Sequence, residues 1–79
     1  MTTYEFQIEI ENVLQNYIFE KLINEDTETN IINDISKIIE ENKYRCLSDL
    51  QIEFNNDDLH VLKVKITFPD VVLEYEIKG

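Results

Sequence analysis

Two positions carry side chains that catalysis commonly uses. His60 lies two residues after Asp58, and an imidazole beside a carboxylate can act as a general base where a cleft and a further partner are present. Cys46 follows Arg45, and a neighbouring cation favours the reactive thiolate. The chain has one His and one Cys, so neither position has a second group of its kind to complete a nucleophilic arrangement. We therefore predict that the protein is not an enzyme.

Oxygen-bearing side chains are concentrated at three places. The run Asn-Asn-Asp-Asp at residues 55–58 offers ligands suited to calcium, but it lacks the alternating spacing, the Gly and the closing Glu of an EF-hand loop. The pairs Glu40 with Glu41 and Glu74 with Glu76 could serve glycoside chemistry only inside a cleft. We therefore predict no metal and no cofactor, and we interpret residues 55–58 as a turn.

The charge balance and the length exclude further classes of function. The 79 residues include 17 Asp and Glu against 7 Lys and Arg, which gives a net charge of −10. Direct binding of nucleic acid would require a basic patch, and a single Cys builds neither a disulfide scaffold nor a cysteine zinc site. A hydrophobic fraction of 43% is sufficient for a packed core. We predict one acidic domain over residues 1–79.

The sequence also predicts a cellular location. The N-terminus has no basic segment followed by an apolar run, and no apolar stretch approaches the roughly 20 residues that cross a bilayer. We therefore expect no membrane association and a cytoplasmic protein, in a bacterial or host cytosol or associated with a virion. The chain contains no Ala and is rich in Ile and Asn, which suggests an AT-rich genome such as those of many low-GC bacteria and their phages.

Helical spacing of apolar residues predicts a first helix from Thr3 to about Asn24. A capping-box pattern, Thr2-x-x-Glu5, stands at its start. Residues 4–10 also alternate with a period of two, so a short N-terminal strand is an alternative. The predicted buried stripe consists of Phe6, Ile10, Val13, Leu14, Tyr17 and Ile18.

The same spacing predicts a second helix from about Thr27 to Asn42. Its N-cap candidates are Asp26, Thr27 and Thr29. Because the chain has no interior Gly, we expect Asn24 and Asn42 to provide left-handed ends for the two helices. The predicted buried stripe consists of Ile31, Ile35, Ile38 and Ile39, widened by Ile32.

After Arg45 the apolar residues alternate, which predicts three strands. The turns between them are residues 55–58 and the pair Pro69-Asp70. Tight turns make the strands an antiparallel meander with one apolar face, and the two helical stripes can cover that face. We therefore predict an α+β fold in the order ααβββ, a two-layer sandwich. The inward residues are Leu50, Ile52 and Phe54, then Leu62, Val64, Ile66 and Phe68, then Val71, Leu73, Tyr75 and Ile77.

The negative charge is concentrated in the predicted helical layer. Residues 1–42 hold ten acids and two lysines, whereas residues 43–79 hold seven acids and five bases. One face of the first helix carries acceptors at spacings of three and four residues. We interpret this acidic face either as a solvated surface or as a docking face for a basic partner. Its residues are Glu5, Glu9, Asn12, Asn16 and Glu20.

A three-stranded meander has two edge strands with unpaired backbone groups. These edges, or the alternating N-terminal segment, can add to the sheet of a neighbouring protein. The alternative interpretation makes Lys63, Lys65 and Lys78 gatekeepers that prevent such pairing.

A helix, an Arg just after it and an alternating hairpin follow one another from about Thr27 to Phe68. This pattern resembles the C-terminal part of the baseplate-wedge family of contractile phage tails, and it is similar to the C-terminal domain of contractile tail sheath proteins. The acidic-Pro-Arg triplet of the family is Lys43-Tyr44-Arg45 here, so only Arg45 carries over. The resemblance implies a structural subunit that assembles by sharing sheet edges.

Two functions follow as expectations. The first is a non-enzymatic protein-interaction module, encoded by a phage or mobile element, that acts as a small assembly or structural subunit. The second is an acidic inhibitor, of an anti-defence or nucleic-acid-mimic type, that blocks the basic nucleic-acid-binding surface of a host protein. A thin core and open sheet edges are also compatible with a homodimer.

Overall fold

A computed structural model describes residues 1–20, 26–58 and 61–78. Two helices precede a three-stranded antiparallel sheet, which confirms the predicted α+β fold and element order. A single 3-10 turn, Leu47–Asp49, separates the helices from the strands and was not predicted. The elements are α1 (Thr3–Glu20), α2 (Thr27–Asn42), β1 (Gln51–Asp58), β2 (Val61–Phe68) and β3 (Val71–Lys78).

The N-terminal segment is the start of α1, and the alternative of a short strand over residues 4–10 is wrong. The hydroxyl of Thr2 accepts a hydrogen bond from the Glu5 N–H at 3.2 Å, as the capping-box pattern predicted. Phe6 and Ile10, four residues apart, are both fully buried, whereas Ile8 between them is 39% exposed. Burial therefore follows the helical period. The predicted end near Asn24 lies outside the described residues.

The α2 helix spans the predicted residues, but two details differ. Ile32 does not widen the buried stripe, because it is 40% exposed while the four other stripe residues are buried. The left-handed end is Lys43, with φ 49°, rather than Asn42. Asn42 is the last helical residue, and its side-chain amide donates to the carbonyl of Ile38 at 2.9 Å, one turn back. At the other end Asp26 occupies the N-cap position.

The strands form a meander in the order β1-β2-β3, as predicted. The two-residue turn at Pro69 and Asp70 sets β3 opposite β2 over all eight of its residues, from Phe68 opposite Val71 to Val61 opposite Lys78. The alternate residues of β2 are buried, and α1 and α2 cover that face. The core consists of Phe6, Ile10, Leu14, Ile31, Ile35, Ile38, Ile39, Leu62, Val64, Ile66, Phe68, Leu73 and Ile77.

The prediction that residues 55–58 form a turn is wrong, because they continue β1. Asn55 lies opposite Lys63 and Asp58 opposite Val61, so the register shifts by one residue between them. An irregularity of this kind accommodates turn-type residues inside a strand, since it does not require regular extended geometry. The connection to β2 therefore falls at residues 59–60, which lie outside the described residues.

Substitution on α2 tests which isoleucines stabilise the fold. A chain of this length has a total free energy of unfolding of about 4–12 kcal/mol, so a conservative change is informative. We expect Ile35→Val to lower that free energy by about 0.5–1.5 kcal/mol, because Ile35 is fully buried. The matched change Ile32→Val should stay within about 0.5 kcal/mol. Urea unfolding followed by circular dichroism measures both, and equal losses would contradict this assignment of the buried stripe.

Candidate functional site

The outer face of the sheet, opposite the helices, carries charged side chains in cross-strand rows. Lys65 on the central strand β2 lies between Glu53 on β1 and Glu74 on β3. Lys63 lies in the next row, with Glu76 opposite it on β3. All five side chains are exposed. The two lysines are therefore on the central strand, and the three glutamates flank them on the edge strands.

This arrangement corrects the interpretation of the lysines as gatekeepers. Lys63 and Lys65 lie on β2, which is paired on both sides, so they cannot protect an edge. Lys78, at the end of β3, is the member of the set that lies on an edge strand. The predicted meander already implied this, because its second strand, which carries Lys63 and Lys65, is the central one.

The outer face is concave, with a depression of about 870 Å³ lined by the charged rows. The described residues contain no group of three His, Cys, Asp or Glu side chains that could hold a metal ion. Lysine and glutamate side chains there can bind a complementary surface through charge and hydrogen bonds.

The two edges of the sheet differ in regularity. The β1 edge is interrupted by the register shift between Asn55 and Asp58, and an irregularity of this kind hinders further strand pairing. The β3 edge has no such interruption along its eight residues. Among the described residues, nothing pairs with the outer side of β3. The regular, unpaired edge of the molecule is therefore that of β3.

The turn that joins β2 to β3 determines which β3 groups are free. A hydrogen-bonded two-residue turn makes Phe68 and Val71 a hydrogen-bonded pair. Hydrogen-bonded and non-hydrogen-bonded pairs alternate in an antiparallel ladder. The N–H and C=O groups of Val72, Glu74 and Glu76 therefore point away from β2, towards the open side.

The inner face of β3 is half-covered by α1 at this edge. Burial raises the pKa of Tyr75 to about 12, and the negative charge of Glu11 on α1 contributes to the same shift. Val71 and Tyr75 keep intermediate exposure, while Leu73 and Ile77 are buried. The edge thus presents acids on its outer face and partly exposed apolar surface on its inner face.

The acidic face predicted on α1 is exposed where the structure describes it. Glu5, Glu9, Asn12 and Asn16 are exposed, on the side of α1 away from the core. The side chain of Glu20 lies outside the described residues. The structure thus brings four of the five predicted residues onto one solvent-facing surface.

Arg45, the residue that carries over in the phage-tail resemblance, makes contacts with other side chains of the same chain. Its two terminal nitrogens donate to the two carboxylate oxygens of Asp70 at 2.6 and 3.0 Å. The guanidinium lies 4.8 Å from the ring centroid of Tyr44 and 5.1 Å from that of Phe68. Hydrogen bonding to the side chain of Tyr44, and to a smaller extent to that of Asp70, raises the pKa of Arg45 above its ordinary value. We call Tyr44, Arg45, Phe68 and Asp70 the arginine clasp.

The arginine clasp joins three parts of the chain that are distant in sequence. Tyr44 stacks on Phe6 of α1 with ring centroids 4.6 Å apart, and its hydroxyl shares a 2.9 Å hydrogen bond with the hydroxyl of Thr3. Asp70 belongs to the β2–β3 turn. Arg45 therefore connects the segment after α2 to the turn before β3, and its charge is paired with an acid of the same chain at the surface. Sequence reasoning missed the clasp because no local pattern relates Arg45 to Asp70.

The other chemical candidates are not assembled into a site in the described part of the chain. The sulfur of Cys46 lies 2.9 Å from the hydroxyl of Ser48, and both residues are exposed. Glu41 lies 3.9 Å from Lys37 in an exposed ion pair on α2. His60 and the side chain of Asp58, which were considered from the sequence as a general-base pair and set aside, lie outside the described residues.

Comparison with protein-family models, with curated proteins and with solved structures finds no match to this chain. The resemblance to contractile phage tail families therefore stays a prediction. None of the helices in the described residues combines the length and the apolar character that crossing a bilayer requires.

The shifted pKa of Tyr75 predicts a loss of stability at high pH. Because the folded-state pKa of about 12 exceeds the ordinary value of 10, the unfolded state releases its proton first as pH rises. The contribution of Tyr75 is fully present below pH 10 and is lost between about pH 10 and 12. A shift of two pKa units corresponds to about 2.7 kcal/mol. The contribution of Tyr75 to the free energy of unfolding is well below that value, since solvent screens a half-buried group.

Ultraviolet titration of tyrosinate, with Tyr75→Phe as the difference sample, measures this pKa. Glu11→Gln should lower the pKa of Tyr75 by removing the adjacent negative charge, whereas Tyr4→Phe, at a side chain that is 71% exposed, is the matched control and should leave the pKa of Tyr75 unchanged. A normal pKa for Tyr75 would contradict the packing of α1 against β3.

The arginine clasp predicts that the geometry of Arg45 matters as well as its charge. Arg45→Lys keeps the charge but loses the paired hydrogen bonds and the flat contact with two rings, so we expect a lower urea midpoint. Lys37→Arg, in the exposed pair with Glu41, is the matched control and should leave the midpoint unchanged. An unchanged midpoint for Arg45→Lys would reduce the clasp to an ordinary surface ion pair.

Proposed function

We propose that this chain is a non-enzymatic protein-interaction module, a small assembly or structural subunit encoded by a phage or mobile element, that binds its partner by strand addition to β3. The observation that carries the proposal is the regular eight-residue β3 strand with one side unpaired in the described residues. A partner strand there would accept and donate hydrogen bonds with Val72, Glu74 and Glu76.

Strand addition suits this edge for energetic reasons. Main-chain hydrogen bonds provide affinity in such complexes, and alternate side chains provide specificity. The β3 strand is held on its other side by β2, and its inner face packs into the core together with α1, with Leu73 buried there. Because the edge is already fixed, only the partner segment loses conformational freedom on binding.

The non-enzymatic part of the proposal is supported by how the described polar groups are used. Arg45 is paired with Asp70, Cys46 lies beside Ser48, and Lys37 is paired with Glu41. These contacts are separate from one another, whereas catalysis by side chains requires an acid or base within hydrogen-bond reach of a nucleophile or substrate.

A second candidate function is favoured by the surface of the helical layer. Glu5 and Glu9 on α1 and Glu28 and Glu40 on α2 are exposed. In the described residues of the two helices the basic side chain is Lys37, which already lies beside Glu41. Such a surface suits an acidic inhibitor that occupies the basic nucleic-acid groove of a host protein, and its binding should weaken steeply with ionic strength.

Two matched substitutions at one residue test strand addition. Glu74→Pro removes an N–H that points to the open side of β3, and Pro is tolerated on edge strands, so we expect the fold to remain and partner capture to be lost. Glu74→Gln loses the same carboxylate but keeps the N–H, so it should capture clearly more partner than Glu74→Pro does. The measurement is the amount of partner recovered by each tagged protein from host extract, with circular dichroism as the check on folding.

Charge reversal on α1 separates the two functions. If the protein acts by strand addition, Glu5→Lys combined with Glu9→Lys leaves partner capture intact. Loss of capture in this helix variant, together with normal capture by Glu74→Pro, would overturn strand addition in favour of the acidic inhibitor.

A further inference from the structure

We infer that the β3 edge selects a strand of a different protein, one that carries Lys or Arg at two alternate positions and apolar residues between them, and that it rejects a second copy of this chain. The inference rests on the proposed function, because it names the chemistry of the strand that would be added. It follows from the charge pattern of β3, from the partly exposed apolar surface beneath it and from the symmetry of self-pairing.

The outer face of β3 presents two carboxylates to any added strand. Directly opposed residues in an antiparallel pair have their side chains on the same face. Lys65 and Lys63 of β2 already lie opposite Glu74 and Glu76 on the paired side. The described residues contain no ion pair that holds either carboxylate. A partner strand that repeats the alternation of β2 would place a second cation beside each of these two carboxylates.

The inner face of β3 determines which residues of the partner strand suit the positions between its two cations. Side chains of an added strand at those positions would lie beside Leu73, Tyr75 and Ile77. Tyr75 is partly exposed at this edge, so an apolar neighbour would bury more of its ring. Glu11, whose charge acts on Tyr75, adds a negative group at the rim formed by α1. An acidic or strongly polar strand would therefore be disfavoured on both faces.

A second copy of β3 does not meet these requirements. Two copies paired antiparallel about a two-fold axis must oppose residues of the same face. The longest registers, over residues 71–77 or 72–78, set Glu74 opposite its own copy or opposite Glu76 of the copy. Like charges directly opposed across strands are destabilising. The same carboxylates that attract a basic strand thus oppose self-pairing.

Peptide titration tests the charge preference. The probe is a synthetic peptide with the sequence of residues 61–68, Val-Leu-Lys-Val-Lys-Ile-Thr-Phe, against forms with both Lys replaced by Gln or by Glu. Nuclear magnetic resonance of isotope-labelled protein should show shifts at the β3 amides, Val72, Glu74 and Glu76 foremost. Two cross-strand charge pairs make the Gln peptide about two- to thirtyfold weaker than the Lys peptide, and the Glu peptide weaker still.

Matched protein variants locate the selectivity. Glu74→Gln combined with Glu76→Gln should bring the Lys and Gln peptides to equal affinity. Glu53→Gln is the control, because Glu53 flanks the same Lys65 from β1, and it should leave the preference unchanged. Sedimentation velocity measures whether the unmodified chain forms a dimer. If it does, hydrogen exchange should show that the dimer leaves the β3 amides unprotected.

The outcomes distinguish this inference from the proposed function. Equal binding of the three peptides at β3, or a dimer paired through β3, overturns the charge selection and leaves strand addition standing. The absence of β3 shifts with every peptide overturns strand addition itself. Preference for the Lys peptide that the Glu74 and Glu76 variant abolishes supports the inference.

Discussion

The fold depends on the burial of one sheet face beneath two helices. The apolar stripes of α1 and α2 close over β2 and β3, and the fully buried residues Phe6, Ile35 and Ile66 belong to that single interface. A chain of 79 residues has little apolar surface beyond what this core uses. The outer face of the sheet must therefore remain stable in water, which accounts for its rows of lysine and glutamate.

Charge on the outer face follows from the order of the strands. A cation on the central strand has neighbours on both sides, so Lys65 lies between Glu53 and Glu74. The reverse arrangement, with acids in the centre, would leave cations at both edges. With lysines in the centre, the edge acids have a cation on one side and an open position on the other. On the proposed function, the residues that keep the outer face hydrated would also select the added strand.

The sequence predicted what local periodicity determines. The order of elements and most of the buried residues follow from spacings of three, four and two. What it missed depends on tertiary context: Ile32 has stripe spacing yet is 40% exposed, and residues 55–58 stay in β1 with a shift in register. Arg45 and Asp70 are 25 residues apart, so their pairing depends on the fold. The acidic face of α1 could be predicted from the sequence because it follows from local helical spacing. The open edge of β3 could be identified only from the strand pairing in the structure.

The two edges of the sheet have different consequences for the protein. The irregular end of β1 hinders pairing on that side, while β3 remains regular because its ladder with β2 is complete. On the proposed function, a strand added to β3 binds the folded state alone, because the unfolded chain has no sheet edge. Binding would then raise the free energy of unfolding with partner concentration. A small domain of limited core would thereby be most stable when assembled, and the carboxylates of Glu74 and Glu76 would decide which strand provides that stability.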